Sequence, residues 1–200
     1  MTTIRSFRPS DLPALHDICL KTGDSGQDAT HLYADPQLIG EIYAAPYGVL
    51  LPDLAFVAQD ADGVAGYVIG TADTRAFEAR QEAEWWPRLR KVHPKPAGPP
   101  STPDQRLAYR IHHPFAVPQP VVDAAPAHLH INLLPRLQGQ GMGQALINTL
   151  RDALRQRGAA QVHLGCAPVN LRALRFYDVY GFARLEVGSK DVVWMTLDID

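Results

Sequence analysis

The sequence predicts an α/β domain in which helices flank a mixed central sheet. Strand-like and helix-like segments follow in the order β-α-α-β-β and, in the last third, β-α-β-α-β. A Gly-rich turn joins the first strand of that last third directly to a helix. Between the two groups lies a segment, residues 72–126, that we interpret as a long proline-rich insertion between the third and fourth strands. Neither group alone has enough strands to close a core, so we expect a single domain over residues 1–200.

The first third of the chain is predicted to contain three strands and two helices. Helical spacing of apolar residues such as Leu12 and Leu15 indicates a helix, which we expect the side chains of Ser10 and Asp11 to cap. The second and third strands are joined by the Gly-containing turn at 60–63, which is typical of a hairpin. The predicted ranges are 4–7, 54–59 and 65–71 for the strands, and about 36–44 for the second helix.

Proline dominates the segment between the two groups. A helix is predicted from residue 74 to about residue 90, and it carries Trp85 and Trp86. Ten of the chain's 17 prolines then fall between Pro87 and Pro126. Because proline lacks a backbone N–H and fixes φ, we expect little regular structure in this part. A connection of this length inside a compact domain usually has a function of its own.

The last third has the clearest periodicity. Leu146, Leu150 and Leu154 form an apolar stripe on a helix predicted from about residue 143 to residue 157, with Gly158 just beyond its end. Asn170 is expected to cap a second helix. The predicted strands are 127–134, 162–166 and 192–197.

The composition excludes several classes of function. With 19 Lys and Arg against 21 Asp and Glu, the net charge is −2, which offers no electrostatic basis for binding nucleic acid or an anionic membrane. No apolar run approaches the ~20 residues that span a bilayer, and the N-terminus lacks the apolar stretch of a secretory signal. Cys19 and Cys166 have no metal-ligand spacing. These features predict a cytoplasmic protein without a metal.

The turn at 138–143, with the sequence Gln-Gly-Gln-Gly-Met-Gly, is the strongest local signal. Glycines allow close approach of a ligand, and a helix N-terminus adds unpaired N–H groups and partial positive charge, so the turn suits a pyrophosphate. A P-loop is excluded because Gln144 and Ala145 stand where Lys and Ser or Thr are required. The glycine spacing also differs from the dinucleotide fingerprint. A tight turn that merely eases packing remains an alternative at this point.

Two motifs resemble those of the GNAT acetyltransferases. Gln138-x-x-Gly141-x-Gly143 is similar to their Q/R-x-x-G-x-G/A signature, and the run from Asn170 to Phe182, Asn-x-x-Ala-x-x-Phe-Tyr-x-x-x-Gly-Phe, matches their second element at the expected distance. The segments 73–77 and 21–24 further resemble the acetyltransferase-like domain of O-GlcNAcase and its stand-alone bacterial relatives. The resemblance implies a GNAT fold and acetyl-CoA as cosubstrate.

The resemblance also implies roles for individual residues. The Leu133 N–H would polarise the acetyl carbonyl, and Tyr177 would face the coenzyme sulfur as a general acid, although a packing role for this tyrosine is the alternative. The predicted coenzyme-binding residues are Leu133, Leu134, Gln138, Gly139, Gln140, Gly141, Met142, Gly143, Asn170, Ala173 and Phe176.

The general base is less clear, because the glutamate that many family members carry on the strand before the turn is missing. Alternation places His128, His130 and Asn132 on one face of that strand. Either histidine could accept a proton from an ammonium group, directly or through water. A hydrogen-bonded interior pair and a metal-binding pair are the alternatives, and no third metal ligand is evident.

The acceptor is not identified by the sequence. Asp24, Asp28 and Asp73 are predicted to border the acceptor cleft, where carboxylates could hold a cationic amine. The insertion is expected to shape the same side, with Trp85 and Trp86 either packing it onto the domain or lining the groove. The leading hypothesis is direct acetyl transfer to a primary amine of a small molecule or peptide. A catalytically weak or inactive acetyl-CoA-binding module that acts through protein interaction is the alternative, and homodimer formation is left open.

Overall fold

A computed structural model describes residues 1–199 and contains a seven-stranded sheet of order β1-β2-β3-β4-β5-β7-β6. All neighbouring strands pair antiparallel except β4 and β5, which are parallel. The sheet is therefore mixed, as the sequence predicts. The strands are β1 (Thr3–Ser6), β2 (Ala55–Asp60), β3 (Gly63–Thr71), β4 (Ala127–Leu133), β5 (Gln161–Cys166), β6 (Ala183–Leu185) and β7 (Val193–Asp198).

Helices cover both faces of this sheet. The first helix packs on β3 and β4, while the eighth packs on β2, β3 and β4 from the other side. Within the described residues, no helix is both long and apolar enough to cross a membrane. The helices are α1 (Leu12–Lys21), α2 (Leu38–Tyr43), α3 (Ala45–Leu50), α4 (Thr74–Arg80), α5 (Trp86–Val92), α6 (Pro103–His112), α7 (Gln119–Ala124), α8 (Met142–Arg155) and α9 (Leu171–Tyr180).

The apolar stripe of α8 lies in the core as predicted. Leu146, Leu150 and Leu154 are fully buried, and burial of one such side chain contributes about 1.5–3 kcal/mol. Gly158 follows the helix with a φ of 75°, a left-handed conformation that glycine adopts without strain. This stripe fixes α8 on the sheet and so fixes the position of the turn before it.

The prediction that Ser10 and Asp11 cap α1 is wrong. Neither side chain makes a capping hydrogen bond to that helix. The Asp11 carboxylate instead accepts from the Arg5 guanidinium at 2.6 and 2.8 Å and from the Arg8 backbone N–H at 2.8 Å. These contacts hold the pKa of Asp11 below its usual value. The residue therefore ties β1 to the start of the helical region.

The connection between β3 and β4, residues 72–126, is more regular than its proline content suggests. Helices α6 and α7 both lie in the part where little regular structure was expected, so that prediction is wrong. Pro103 is the first residue of α6, where no backbone N–H is required, and the Thr102 hydroxyl caps the helix by accepting from the Gln105 N–H. Proline here starts a helix and does not disrupt one.

Trp85 and Trp86 fasten this connection to the domain. Both side chains are buried, and the Trp85 indole donates to the Glu41 carbonyl at 2.8 Å. A π-helical segment, Gln81–Trp85, joins α4 to α5, and Trp86 is the first residue after it. The structure therefore supports the packing interpretation of the two tryptophans.

Two features of the sheet concern the last third. Strand β6 was not predicted, because a run of three residues is too short to indicate a strand. Strands β4 and β5 are paired only at Ala127 with Val162 and at His128 with His163, and beyond these pairs they diverge. The divergence opens a cleft beside the C-terminal half of β4.

Candidate functional site

A cleft of about 1270 Å³ occupies the gap between the diverging strands. Its walls come from β4 and β5, from the start of α8 and of α9, and from the loop after α1. The residues that line the cleft include Asp24, Tyr33, Tyr43, Tyr67, Leu107, His130, Asn132, Leu133, Gln138, Gly139, Gly141, Gly143, Cys166, Asn170, Ala173, Phe176 and Tyr177.

The turn at 138–143 presents a row of unpaired amides. Within residues 1–199, no hydrogen bond engages the backbone N–H groups of residues 139–144. Gly139 and Gly141 have φ values of 72° and 77°, which a residue with a Cβ adopts only with strain. The Gln138 side chain donates to the Leu133 carbonyl at 2.7 Å and holds the turn against the strand end. Such an arrangement at a helix N-terminus suits an anion.

The amide of Leu133 points into the gap between the strands. In an antiparallel pair, successive residues direct their N–H groups to opposite sides. The Leu134 N–H bonds to the Ala65 carbonyl of the neighbouring chain segment at 2.8 Å, so the Leu133 N–H points away from β3. That direction faces β5 at the point where the two strands have separated.

The start of α9 closes one wall of the cleft. The Asn170 side chain accepts from the Ala173 N–H at 3.1 Å, which confirms the predicted cap. Phe176 packs so closely on the start of α8 that a Cβ at Gly143 would lie 3.0 Å from its ring. This contact packs α9 against the start of α8.

Three of the predicted coenzyme-binding residues do not line the cleft. They are Leu134, whose N–H bonds to Ala65, Gln140, whose side chain donates to the Arg136 carbonyl at 2.7 Å, and Met142. Gln140 and Met142 retain backbone N–H groups in the unpaired row. Any role of these two residues in binding an anion would therefore be through the main chain.

Tyr177 lines the cleft. The side chain is 9% exposed, and its hydroxyl makes no hydrogen bond in the part of the chain that the structure describes. Burial raises the pKa of Tyr177 above its ordinary value, and the neighbouring Cys166 adds to the effect. The phenol therefore keeps its proton at neutral pH and has that proton free to donate.

His128 and His130 share one face of β4, as predicted, and both contact Tyr47. The Tyr47 hydroxyl lies 2.7 Å from His128 Nε2 and 3.0 Å from His130 Nε2. His128 Nδ1 lies 2.8 Å from the Thr74 hydroxyl, and only His130 of the pair lines the cleft. Burial lowers the pKa of His128, and it lowers that of His130 to about 4. Both rings are neutral at pH 7, and His128 is a buried, hydrogen-bonded residue.

The sequence analysis did not predict that Tyr47 and Thr74 contact the histidines of β4. Tyr47 belongs to α3 and is 81 residues from His128, and no local pattern marks it. Asn132, on the same face of β4, donates to the Thr22 hydroxyl at 2.5 Å. Only the three-dimensional packing of α1, α3 and α4 against β4 brings these groups together.

Of the three acidic residues predicted to border the cleft, only Asp24 lines it. Asp28 is exposed and accepts from the N–H and hydroxyl of Thr30, which lowers its pKa. Asp73 caps α4 by accepting from the Ala76 N–H, at the end of β3 opposite the 138–143 turn. The placement of Asp28 and Asp73 at the cleft is therefore wrong. Within residues 1–199 no group of His, Cys, Asp and Glu is arranged to hold a metal ion.

Comparisons with known proteins agree with this geometry. A model of the acetyltransferase (GNAT) family matches residues 108–182, which include the 138–143 turn and the Asn170 to Phe182 motif. The protein in the crystal structure of SsHAT is 42% identical in sequence to this chain. The two structures superpose with a TM-score of 0.94 over 100% of this chain and 98% of that one. The chain belongs to the GNAT acetyltransferase family.

Two curated relatives extend the comparison. Rat (Rattus norvegicus) protein O-GlcNAcase is 26% identical over 196 residues, which are 96% of this chain and 21% of that protein. The chain thus spans about a fifth of O-GlcNAcase. The ribosomal protein bS18-alanine N-acetyltransferase of Escherichia coli K12 is 33% identical over 94 residues, 42% of this chain and 63% of that protein. As a GNAT member the chain is an acyltransferase, and acetyl-CoA is the donor that its family binds.

Proposed function

We propose that this GNAT acetyltransferase moves the acetyl group of acetyl-CoA directly to a primary amine in the cleft. The observation that carries the proposal is the row of unpaired N–H groups at 139–144, which opens into the same cleft as Tyr177 and His130. The row suits the pyrophosphate of the coenzyme, because its amides and the α8 dipole both favour negative charge. The walls formed by Asn170, Ala173 and Phe176 suit the pantetheine arm.

Three groups then supply the chemistry. Acetyl-CoA contributes an activated thioester, and the N–H of Leu133 donates to its carbonyl oxygen as negative charge develops there. His130 accepts a proton from the attacking amine. Tyr177 donates its phenolic proton to the departing thiolate, which its raised pKa permits because the group stays protonated. His128 supports His130 and does not contact the substrate.

The acceptor side is the part of the cleft lined by Asp24, Tyr33, Tyr43 and Tyr67. The Asp24 carboxylate gives a cation a point of attachment, and the tyrosines supply apolar surface with hydroxyl groups. These features support an acceptor that carries a primary amine on an apolar or aromatic group. The connection between β3 and β4 contributes Leu107 to this wall.

A transfer assay tests the proposal. Thiol release is measured with acetyl-CoA and a panel of polyamines, amino acids and lysine peptides, and the products are identified by mass spectrometry. We expect an N-acetylated amine and one thiol released per product. Coenzyme binding without any acetylated product across the panel would support a binding module, and thiol release without an amine would indicate hydrolysis.

A further inference from the structure

A chain of hydrogen bonds runs from the start of α4 to the cleft. It passes from the Pro126 carbonyl to the Thr74 hydroxyl at 2.7 Å, then to His128 Nδ1 at 2.8 Å. It continues from His128 Nε2 to the Tyr47 hydroxyl at 2.7 Å and from there to His130 Nε2 at 3.0 Å. Thr74, His128 and Tyr47 are all buried, so water does not compete for these contacts.

The first hydrogen bond, between Thr74 and Pro126, determines which group donates the proton in each of the others. A carbonyl has no proton to give, so Thr74 must donate its hydroxyl proton to Pro126. The Thr74 oxygen can then only accept from His128, and His128 therefore carries its proton on Nδ1. Burial lowers the pKa of His128, which keeps the ring neutral and leaves Nε2 without a proton.

Tyr47 transmits this arrangement to His130. The unprotonated Nε2 of His128 accepts the Tyr47 hydroxyl proton, so the Tyr47 oxygen can only accept from His130. His130 therefore carries its proton on Nε2 and has an unprotonated Nδ1. Within residues 1–199 that Nδ1 makes no hydrogen bond, and it is not among the buried polar atoms sealed from solvent. Because His130 lines the cleft, Nδ1 is open to it.

We propose that Thr74, His128 and Tyr47 are positioning residues that hold His130 in the tautomer whose free Nδ1 accepts the proton of the acceptor amine. This inference rests on the proposed function for its last step, whereas the tautomer itself does not depend on it. The three residues act as a unit. Without the Thr74 hydroxyl, each of the remaining hydrogen bonds between His128, Tyr47 and His130 can form with either partner as the donor.

The proton transfers balance as follows. An ammonium acceptor loses one proton to solvent and attacks the acetyl carbon as a neutral amine, so that a C–N bond forms and the C–S bond breaks. His130 Nδ1 takes the second proton from the nitrogen and passes it to solvent. Tyr177 gives a proton to the thiolate and regains one from solvent. One acetamide, one thiol and one net proton result.

The tautomer is tested by nitrogen NMR on protein labelled with ¹⁵N-histidine. In the wild type we expect Nδ1 of His130 to resonate as an unprotonated nitrogen and Nε2 as a protonated one, with the reverse pattern for His128. Assignment uses the single variants His128→Asn and His130→Asn. A protonated Nδ1 on His130 would overturn the inference, whether or not the protein acetylates any amine.

The positioning role is tested with Thr74→Val, which removes the hydroxyl and keeps the shape. We expect a fall in kcat of about tenfold or more, since loss of a general base costs about 10²- to 10⁴-fold. Coenzyme affinity and acceptor KM should stay within about threefold, and Thr74→Ser should restore kcat. The matched control is Thr149→Val, because the Thr149 hydroxyl bonds only to the Ala145 carbonyl of its own helix.

Tyr47→Phe is the second variant, for the case that Thr74→Val does not fold. It should mix the two tautomers of His130 in the NMR spectrum and lower kcat in the same way. If Tyr47→Phe contains both tautomers of His130 but keeps the wild-type kcat, the positioning role is overturned. Absence of acetyl transfer in the wild type, with the expected tautomer present, would count against the proposed function alone.

Discussion

At the scale of single residues, burial sets the protonation state of the two titratable groups proposed for catalysis. It raises the pKa of Tyr177, so the phenol remains a proton donor, and it lowers that of His130, so the imidazole remains a proton acceptor. The sequence motif predicted Tyr177 at the cleft. It could not choose between His128 and His130, because only the folded chain shows that His130 lines the cleft while His128 is buried against Thr74 and Tyr47.

Replacing Tyr177 with Phe should lower kcat by about 10²- to 10⁴-fold, because a general acid is lost. Coenzyme affinity, measured by calorimetry, should change by no more than a few-fold. Tyr180→Phe is the control, because Tyr180 lies on the same helix outside the cleft and bonds to Asn148. Near-native turnover of Tyr177→Phe on a slow acceptor would remove this tyrosine from the mechanism.

Acid should destabilise the protein through its buried histidines. Folding lowers the pKa of His130 from 6.5 to about 4, so the unfolded chain binds a proton in this interval that the folded one does not. The resulting stability is complete above about pH 6.5 and is lost as the pH falls towards 4, by about 3 kcal/mol for this residue. His128 and His163 act in the same direction.

The measurement is urea unfolding at several pH values between 7.5 and 4.5. The free energy of unfolding should be level above about pH 6.5 and fall below it, and His130→Asn should reduce the slope of that fall. His31→Asn, at an exposed position, is the control and should leave the slope unchanged. A flat profile in the wild type would contradict the buried, neutral state assigned to these rings.

At the scale of elements, the N-terminus of α8 is where sequence and structure agree most closely. The glycines of the 138–143 turn, the leucine stripe of α8 and the Asn170 cap are local signals, and each was readable without a structure. Elements whose cues are short or ambiguous were missed, such as β6 with its three residues. Helix α6 was missed because Pro103 was read as a disrupting residue when it is the first residue of a helix.

Gly141→Asp should abolish coenzyme binding in a folded protein. The aspartate must adopt a φ of 77° and places a carboxylate beside the amides proposed to hold the pyrophosphate. Gly63→Asp is the matched control, since Gly63 also has a positive φ with open space around it but lies in the β2–β3 hairpin. Calorimetry should show no binding for the first variant and native binding for the second. Native coenzyme affinity in Gly141→Asp would exclude the 138–143 turn as the site that binds the pyrophosphate.

Helix α6 should influence the acceptor and not the coenzyme. Leu107→Ala enlarges the acceptor side of the cleft, whereas Ile111→Ala removes a fully buried side chain of the same helix that does not line it. Both should cost about 2–5 kcal/mol of stability. Only Leu107→Ala should change the relative kcat/KM values for amines of different size. Equal acceptor profiles for the two variants would show that α6 acts on stability alone.

At the scale of the whole molecule, the cleft exists because β4 and β5 share only two residue pairs before they separate. The sequence predicted six of the seven strands and their order along the chain, but the divergence depends on how α8 and α9 pack, and so on contacts such as Gly143 with Phe176. We propose that residues 1–200 form one domain, since the connection between β3 and β4 is fastened to the core through Trp85 and Trp86. This segment supplies Leu107 to the cleft as well as covering the sheet.

The structure of the complex with coenzyme A tests the central proposal most directly. We expect the pyrophosphate oxygens to accept from backbone N–H groups of residues 139–144, and the sulfur to lie within hydrogen-bond distance of the Tyr177 hydroxyl, about 3–3.5 Å. The acceptor side, with Asp24 and His130, should remain open. A coenzyme bound away from the 138–143 turn, or with its sulfur out of reach of Tyr177, would contradict the proposed mechanism.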